Sequence, residues 1–210
     1  MGHQQLMQIT AQKLQQHFAN EAVHLLGLGC GDASLTAKMT RELSLASYTA
    51  VDLVESVLAM ARQNMTRPDL EIHFFQSNIF EPLPVKSSYN LVFSSFAIHH
   101  GSLEEKQALF SEIRKRAEPG CPFFMIDAIR LEDQSRDQYL ESVSQYFKGI
   151  SVLEGDWQNF VLEHVNQFDF PESVEQFREI GEQTQWQLMD HHILEELPDY
   201  PVALMSFQAK

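Results

Sequence analysis

The chain has 210 residues, 44% of them hydrophobic and 21% charged, which is enough apolar material for one full core. Its 15 Lys and Arg against 29 Asp and Glu give a formal charge of −14, which disfavours phosphate backbones and anionic lipid, both bound through clustered cations. Two cysteines, Cys30 and Cys121, make neither a disulfide framework nor a zinc spacing, and no apolar run reaches the ~18 residues of a bilayer span.

At the N-terminus, Met1 to Gln5 lack the basic and apolar regions of a signal peptide. The expectation is a soluble, cytoplasmic protein of one domain over 1–210, with no nucleic-acid or membrane partner. A helix is predicted over 4–19, where Leu6, Met7, Ile9, Leu14 and Phe18 gather near one face. The run Ala22-Val23-His24-Leu25-Leu26, short, apolar on both faces and stopped by glycine, reads as a buried parallel strand. Helices are expected over 34–43 and 55–65, and strands over 48–53, 70–76 and 89–95. Ser102 and Glu105 have capping-box spacing ahead of a helix with Leu109, Phe110 and Ile113 on one face. Glu118-Pro119-Gly120 ends that helix, and Pro122 to Ile129 is the next strand. Strand and helix alternate to this point, which implies a parallel sheet covered on both faces. Residues 131–170 then offer two short amphipathic helices, read as a helical insertion or lid over the sheet's C-terminal edge. A helix over 171–181 and strands over 185–194 and 201–208 close the chain. The fold expected is α/β: a doubly wound, mostly parallel seven-stranded sheet, with an antiparallel edge and the insertion after strand five.

In doubly wound folds a ligand sits beyond the carboxyl ends of the strands. The loop after the first strand, Gly27-Leu28-Gly29-Cys30-Gly31-Asp32, is therefore the informative one, because glycines let a ligand approach the backbone. Asp52 ends the next strand about 20 residues on, where a carboxylate can accept both hydroxyl protons of a ribose. A dinucleotide fingerprint would have glycine where Asp32 stands, and no GKS or GKT follows for a triphosphate loop. These residues point to a nucleoside ligand with little negative charge.

The run Leu25 to Gly31 resembles the first motif of class I methyltransferases that use S-adenosylmethionine. Val51-Asp52-Leu53 is similar to their ribose-binding acid, and Gln76-Ser77-Asn78-Ile79-Phe80 to their adenine-edge motif. Tyr89 to His100 resembles the strand-four segment of the small-molecule members; Glu118-Pro119-Gly120 and Val202 to Phe207 match their Pro-Gly turn and last strand. The resemblance spans nearly the whole chain, with the motifs in order. It implies transfer of a methyl group from S-adenosylmethionine to a small-molecule acceptor by metal-free in-line displacement, leaving S-adenosylhomocysteine. Cofactor contacts are implied at Gly27, Gly29, Gly31, Asp52, Leu53, Asn78, Ile79 and Ser95. The chain departs from the family pattern at Gly27, Asn78 and Asn90, where acids are usual. Two other readings stay open: a non-catalytic S-adenosylmethionine-binding protein, and a nucleotide-dependent oxidoreductase, which Asp32 disfavours.

Displacement at a sulfonium requires nucleophile, methyl and sulfur to align in a dry site, with a base only where the acceptor must lose a proton. His99, His100 and His164 are the candidate catalytic residues. The first two follow strand four, and the third shares an apolar helix face with Trp157, Phe160 and Val161. Packing or a hydrogen-bonded core role is the competing reading of each, and Asp127 reads equally as an acid that orients a loop. Tyr139, Tyr146, Phe147, Trp157 and Phe160 are the candidate acceptor-binding aromatics, with plain packing as the alternative. No metal ligand set is assigned.

Overall fold

Strand β1 (Val23–Leu28) is buried almost throughout, as a short run apolar on both faces requires, and it is an interior strand of the sheet, paired on both sides. The computed structural model describes residues 2–19, 21–150 and 155–210, without the side chains of residues 2 and 3. Around β1 are α1 (Gly2–Phe18), α2 (Ser34–Met39), β2 (Leu45–Asp52), α3 (Glu55–Asn64), β3 (Glu71–Gln76) and β4 (Leu91–Ser95). A 3₁₀ turn (Ile98–His100) leads to α4 (Leu103–Arg114) and β5 (Pro122–Ala128). The insertion follows as α5 (Arg136–Lys148) and α6 (Asp156–Phe168), then α7 (Val174–Gln183), β6 (Trp186–Ile193) and β7 (Val202–Ala209).

The seven strands lie in the order β3-β2-β1-β4-β5-β7-β6. Strand β1 pairs in parallel with β2 on one side and β4 on the other, so the chain reverses direction across the sheet there. Ligands of doubly wound folds bind at such a switch point. The reversed strand at the far side is β7, which runs antiparallel between β5 and β6; β6 forms the rim.

Successive strand side chains point to opposite faces, so each strand feeds two cores. On one face Leu26, Leu28, Val92, Phe123 and Met125 pack with Phe110 of α4 and Phe177 and Ile180 of α7. On the other, Leu25, Tyr48, Phe93, Phe124 and Ile126 meet Leu6, Leu14 and Phe18 of α1. The indole of buried Trp186 donates to the Phe110 carbonyl at 3.1 Å, which fixes α4 against the β6 side of the sheet.

Several boundaries differ from expectation for local reasons. Helix α2 stops at Met39 instead of continuing to 43: Arg67 donates to the carbonyls of Ala37 and Thr40, closing its C-terminus. Strand β1 runs on to Leu28, so Gly27 is a strand residue, and β2 starts earlier, at Leu45, in register with Val23. Strand β4 starts at Leu91, because Asn90 turns its side chain onto β1, accepting from the His24 amide at 2.8 Å. Helix α7 starts at Val174, behind a capping box of Ser173 and Gln176. The predicted box of Ser102 and Glu105 is present, and Ser135 and Gln138 make a third at α5. Residues 151–154 of the expected insertion lie outside the described residues. Among the described residues no helix is long and apolar enough to cross a membrane.

Candidate active site

The loop after β1 is built by three residues with left-handed backbone, Gly29 at φ +59°, Gly31 at φ +52° and Ala33 at φ +54°. Its amides at Gly29 and Cys30 both donate to the Val51 carbonyl, at 2.9 and 3.3 Å, which pins the loop across the end of β2. The Asp52 carboxylate completes the link, accepting from the Gly31 amide at 2.7 Å and from the Val54 amide at 2.9 Å. Asp32 accepts from the Ser34 amide at 3.0 Å and so opens α2, a role no third glycine could fill. A cavity of about 210 Å³ lies against this loop, with Gly27, Gly29, Gly31, Thr36, Ser95 and Phe96 among its walls.

Gly29 is required for a reason internal to the protein. A Cβ there would stand 2.2 Å from the Cβ of Ala97, so the backbone makes room for the chain leaving β4. At Gly31 a Cβ would meet nothing within 4 Å. A Cβ on Gly27 would meet the Tyr48 hydroxyl at 2.8 Å, so the Tyr48 ring occupies the space a side chain at 27 would need. Burial, reinforced by Asp52, pushes the Cys30 thiol up to about 12; it is a packing residue of the loop.

Of the expected cofactor residues, Gly27, Gly29, Gly31 and Ser95 therefore share one cavity. Asp52 reaches its rim through Gly31. Leu53, 65% exposed, and Asn78 follow the ends of β2 and β3 along the same sheet edge, next to the buried Ile79. The Asn78 side-chain oxygen already accepts from the Phe80 amide at 3.0 Å, so it holds its own turn besides offering a remaining lone pair.

A second polar centre lies beside the cavity. Fully buried Asp127, at the end of β5, accepts from the amides of Ile98 at 2.8 Å and His99 at 3.2 Å, and from His99 Nδ1. It fixes the 3₁₀ turn after β4 as a loop-orienting acid. His99 Nε2 and His100 Nδ1 each lie 3.6 Å from Asp169 Oδ1, and the His100 Nδ1 is 3.2 Å from the Phe168 carbonyl. Burial lowers the basicity of His99, but Asp127 and Asp169 outweigh it and raise the net value. Burial, together with the neighbouring His99, brings His100 down to about 4. Burial raises the Asp169 carboxyl above the usual carboxylate range, with His99 opposing it. The Phe96 ring, a wall of the cavity, is 6.4 Å from the His99 ring, so the two centres adjoin.

The insertion residues divide. Tyr139 is fully buried with Val143, Val165 and Ala128 and packs the insertion onto β5. Tyr146 and Phe147 stack around Tyr200, at 5.6 and 5.5 Å, and Tyr200 continues to Phe96 at 6.5 Å. The helix face of Trp157, Phe160 and His164 is not packed as its apolar character suggested: Trp157 is 70% and Phe160 61% exposed, and neither lines the cavity. α6 turns Val165 inward instead, and His164 reaches the cluster only through its ring, 5.4 Å from that of His100. Asp169 and Tyr200 escaped the sequence reading. Both lie far along the chain from β4, and only the aromatic-flanked acid Phe168-Asp169-Phe170-Pro171 marks the first.

Residues 25–120 match the family described as a methyltransferase domain, which takes in the glycine loop, Asp52 and the two histidines after β4. That match covers a little under half of the chain. The domain's expected class I fold agrees with a solved magnesium protoporphyrin IX methyltransferase from Synechocystis, crystallised with S-adenosylhomocysteine. The two share 14% identity and a TM-score of 0.66, over 100% of this chain and 84% of that one. The chain is 29% identical over 80 residues to a malonyl-[acyl-carrier protein] O-methyltransferase from Bacillus anthracis, covering 38% of this chain. That match spans only 29% of the Bacillus enzyme's length. A carboxy-S-adenosyl-L-methionine synthase from Stutzerimonas stutzeri is 27% identical over 173 residues, covering 77% of this chain and 68% of that protein.

Proposed function

We propose that the protein binds S-adenosylmethionine at the loop after β1 and transfers its methyl group to a small-molecule acceptor. The observation that carries this is the Asp52–Gly31 bond: it places a carboxylate on the lip of a glycine-walled cavity at the sheet's switch point. Each Asp52 oxygen accepts one amide and keeps a lone pair for a ribose hydroxyl. Gly27, Gly29 and Gly31 bring bare backbone to the amino-acid end of the cofactor, with Ser95 facing it across the cavity, and Leu53, Asn78 and Ile79 flank the adenine along the sheet edge.

The acceptor enters beside Phe96, between the histidine turn and the insertion over 131–170, which serves as the cover. Tyr146, Phe147 and Tyr200 supply its apolar wall and keep water from the sulfonium. His99, His100 and His164 form the polar wall that orients the nucleophile, with Trp157 and Phe160 on the outer side of the cover. The domain spans 1–210 and works in the cytoplasm on small molecules; the charge of −14 supports a reading without nucleic-acid or membrane partners.

Asp52→Ala removes two charge-assisted acceptors, worth roughly 1.5–3 kcal/mol each before compensation. S-adenosylhomocysteine should bind this variant at least about tenfold more weakly than the wild type by calorimetry. The loop bond to Gly31 goes with it, so a modest fall in melting temperature is also expected. Equal affinity in the two proteins would overturn the ribose assignment. Binding without turnover across an acceptor panel would favour the non-catalytic alternative.

A further inference from the structure

We propose that His99, His100 and Asp169 bind a divalent ion of the zinc class, with Asp127 as the outer partner that orients His99. One ligand atom from each of the three residues lies within 4.8 Å of the others. Bonds of roughly 2.0–2.1 Å in a tetrahedral arrangement separate ligand atoms by about 3.3–3.5 Å. The two His–Asp169 separations of 3.6 Å therefore need only small side-chain movements to close. Two imidazoles and a carboxylate suit zinc and its neighbours, and not the oxygen-only preference of magnesium.

Asp169 is the independent observation. Its side chain is 3% exposed, and its Oδ1 has no hydrogen-bond donor, although a lone buried carboxylate oxygen is costly. The cations nearby are otherwise engaged. Arg136 donates to the backbone carbonyls of Asp169 and Asn166, and buried Lys106 donates to the Phe170 carbonyl and Glu172. The Tyr139 hydroxyl lies beside the Asp169 carboxyl and interacts with it, but makes no hydrogen bond of good geometry there and brings no positive charge. A dication held by two neutral rings balances both buried carboxylates, Asp127 and Asp169, whereas one imidazolium on His99 balances one.

The surroundings are those of a metal ligand set. A ligating histidine usually gives its other nitrogen to a carboxylate or a carbonyl, which fixes the tautomer. Asp127 takes His99 Nδ1 and leaves Nε2 for the ion, whereas His100 would ligate through Nδ1, the atom 3.6 Å from Asp169 Oδ1, exchanging its 3.2 Å contact with the Phe168 carbonyl for the metal bond. Three protein ligands leave a fourth position open, and the side chain of His100, 35% exposed, provides the way in. The ion would tie the turn after β4 to the C-terminal end of α6, next to the proposed acceptor entrance. None of this depends on the methyl-transfer reading.

The test uses the metal-free wild-type protein with zinc and cobalt(II), and Asp169→Asn and His191→Gln as variants. Wild type should take up one zinc per chain by equilibrium dialysis, gain melting temperature with zinc, and show visible cobalt(II) bands of low coordination number. Asp169→Asn should lose at least about tenfold in zinc affinity, while His191→Gln, on the exposed rim strand, should match wild type. No stoichiometric zinc uptake, or no visible cobalt bands in the wild type, would overturn the proposal. So would equal affinity in Asp169→Asn. Cofactor affinity, measured separately, would be untouched by such a failure.

Discussion

Asp127→Ala is expected to be the most destabilising single change in the site, by roughly 3–5 kcal/mol, the usual effect of breaking a buried charged pair from one side. The carboxylate is fully buried and accepts from three backbone amides, those of Ile98, His99 and Ala128, and from the His99 ring at once. Truncation leaves the amides of Ile98 and His99 without acceptors in a region closed to water. For a chain of this size the melting temperature should fall by about 10 °C. Asp127→Asn keeps an acceptor for the amides but no charge for His99, so a smaller fall is expected. A wild-type melting temperature for Asp127→Ala would show that the turn after β4 is held by something else. The loss should reach function too, because that turn follows Phe96, a wall of the cavity, and holds His99 next to it.

The second large effect is expected at Gly29. Gly29→Ala places a Cβ 2.2 Å from that of Ala97, a contact between two short side chains that cannot rotate away, at a φ of +59°. The left-handed backbone alone costs roughly 1–2 kcal/mol for a residue with a Cβ. Separating the two chain segments adds to this, so thermal unfolding should show a loss of several degrees even without ligand. Gly31→Ala is the contrasting variant: it bears the same backbone cost, but its Cβ meets nothing within 4 Å. It should keep most of its stability and lose S-adenosylhomocysteine affinity, since the open space there is where the proposed site puts the ligand. Equal stability losses in the two variants would contradict the assignment of Gly29 to the β4 contact.

That contrast shows what was legible in the sequence and what was not. The alternation of short apolar runs with amphipathic stretches located every strand, and the glycine loop with Asp52 located the cavity at the switch point, because both signals are local. The sequence reading treated Gly29 as a place where a ligand comes close. Its neighbour is Ala97, which arrives from β4 and has no local signature. The histidine cluster after β4 was less legible for the same reason. His99 and His100 stood out as a pair, but the acid that completes their surroundings comes from the end of α6, 69 and 70 positions on. Periodicity also misassigned α6. Of the face predicted from Trp157, Phe160, Val161 and His164, only Val161 packs against the protein, because the helix is rotated so that Val161 and Val165 turn inward, and period alone does not fix that rotation. Asp127 illustrates a smaller gap: its place at the end of β5 was evident, and only the fold shows it reaching the amides after β4.

Titration of the wild-type protein with S-adenosylhomocysteine and, separately, with NADH tests the central claim most directly. Asp32 at the head of α2 places a carboxylate where a dinucleotide's pyrophosphate would need bare amides, while a sulfonium nucleoside brings no phosphate to that loop. Saturable, one-to-one binding of S-adenosylhomocysteine is expected, with no measurable heat from NADH at the same concentrations. Preferential binding of NADH, or no binding of S-adenosylhomocysteine at any concentration that leaves the protein folded, would contradict it.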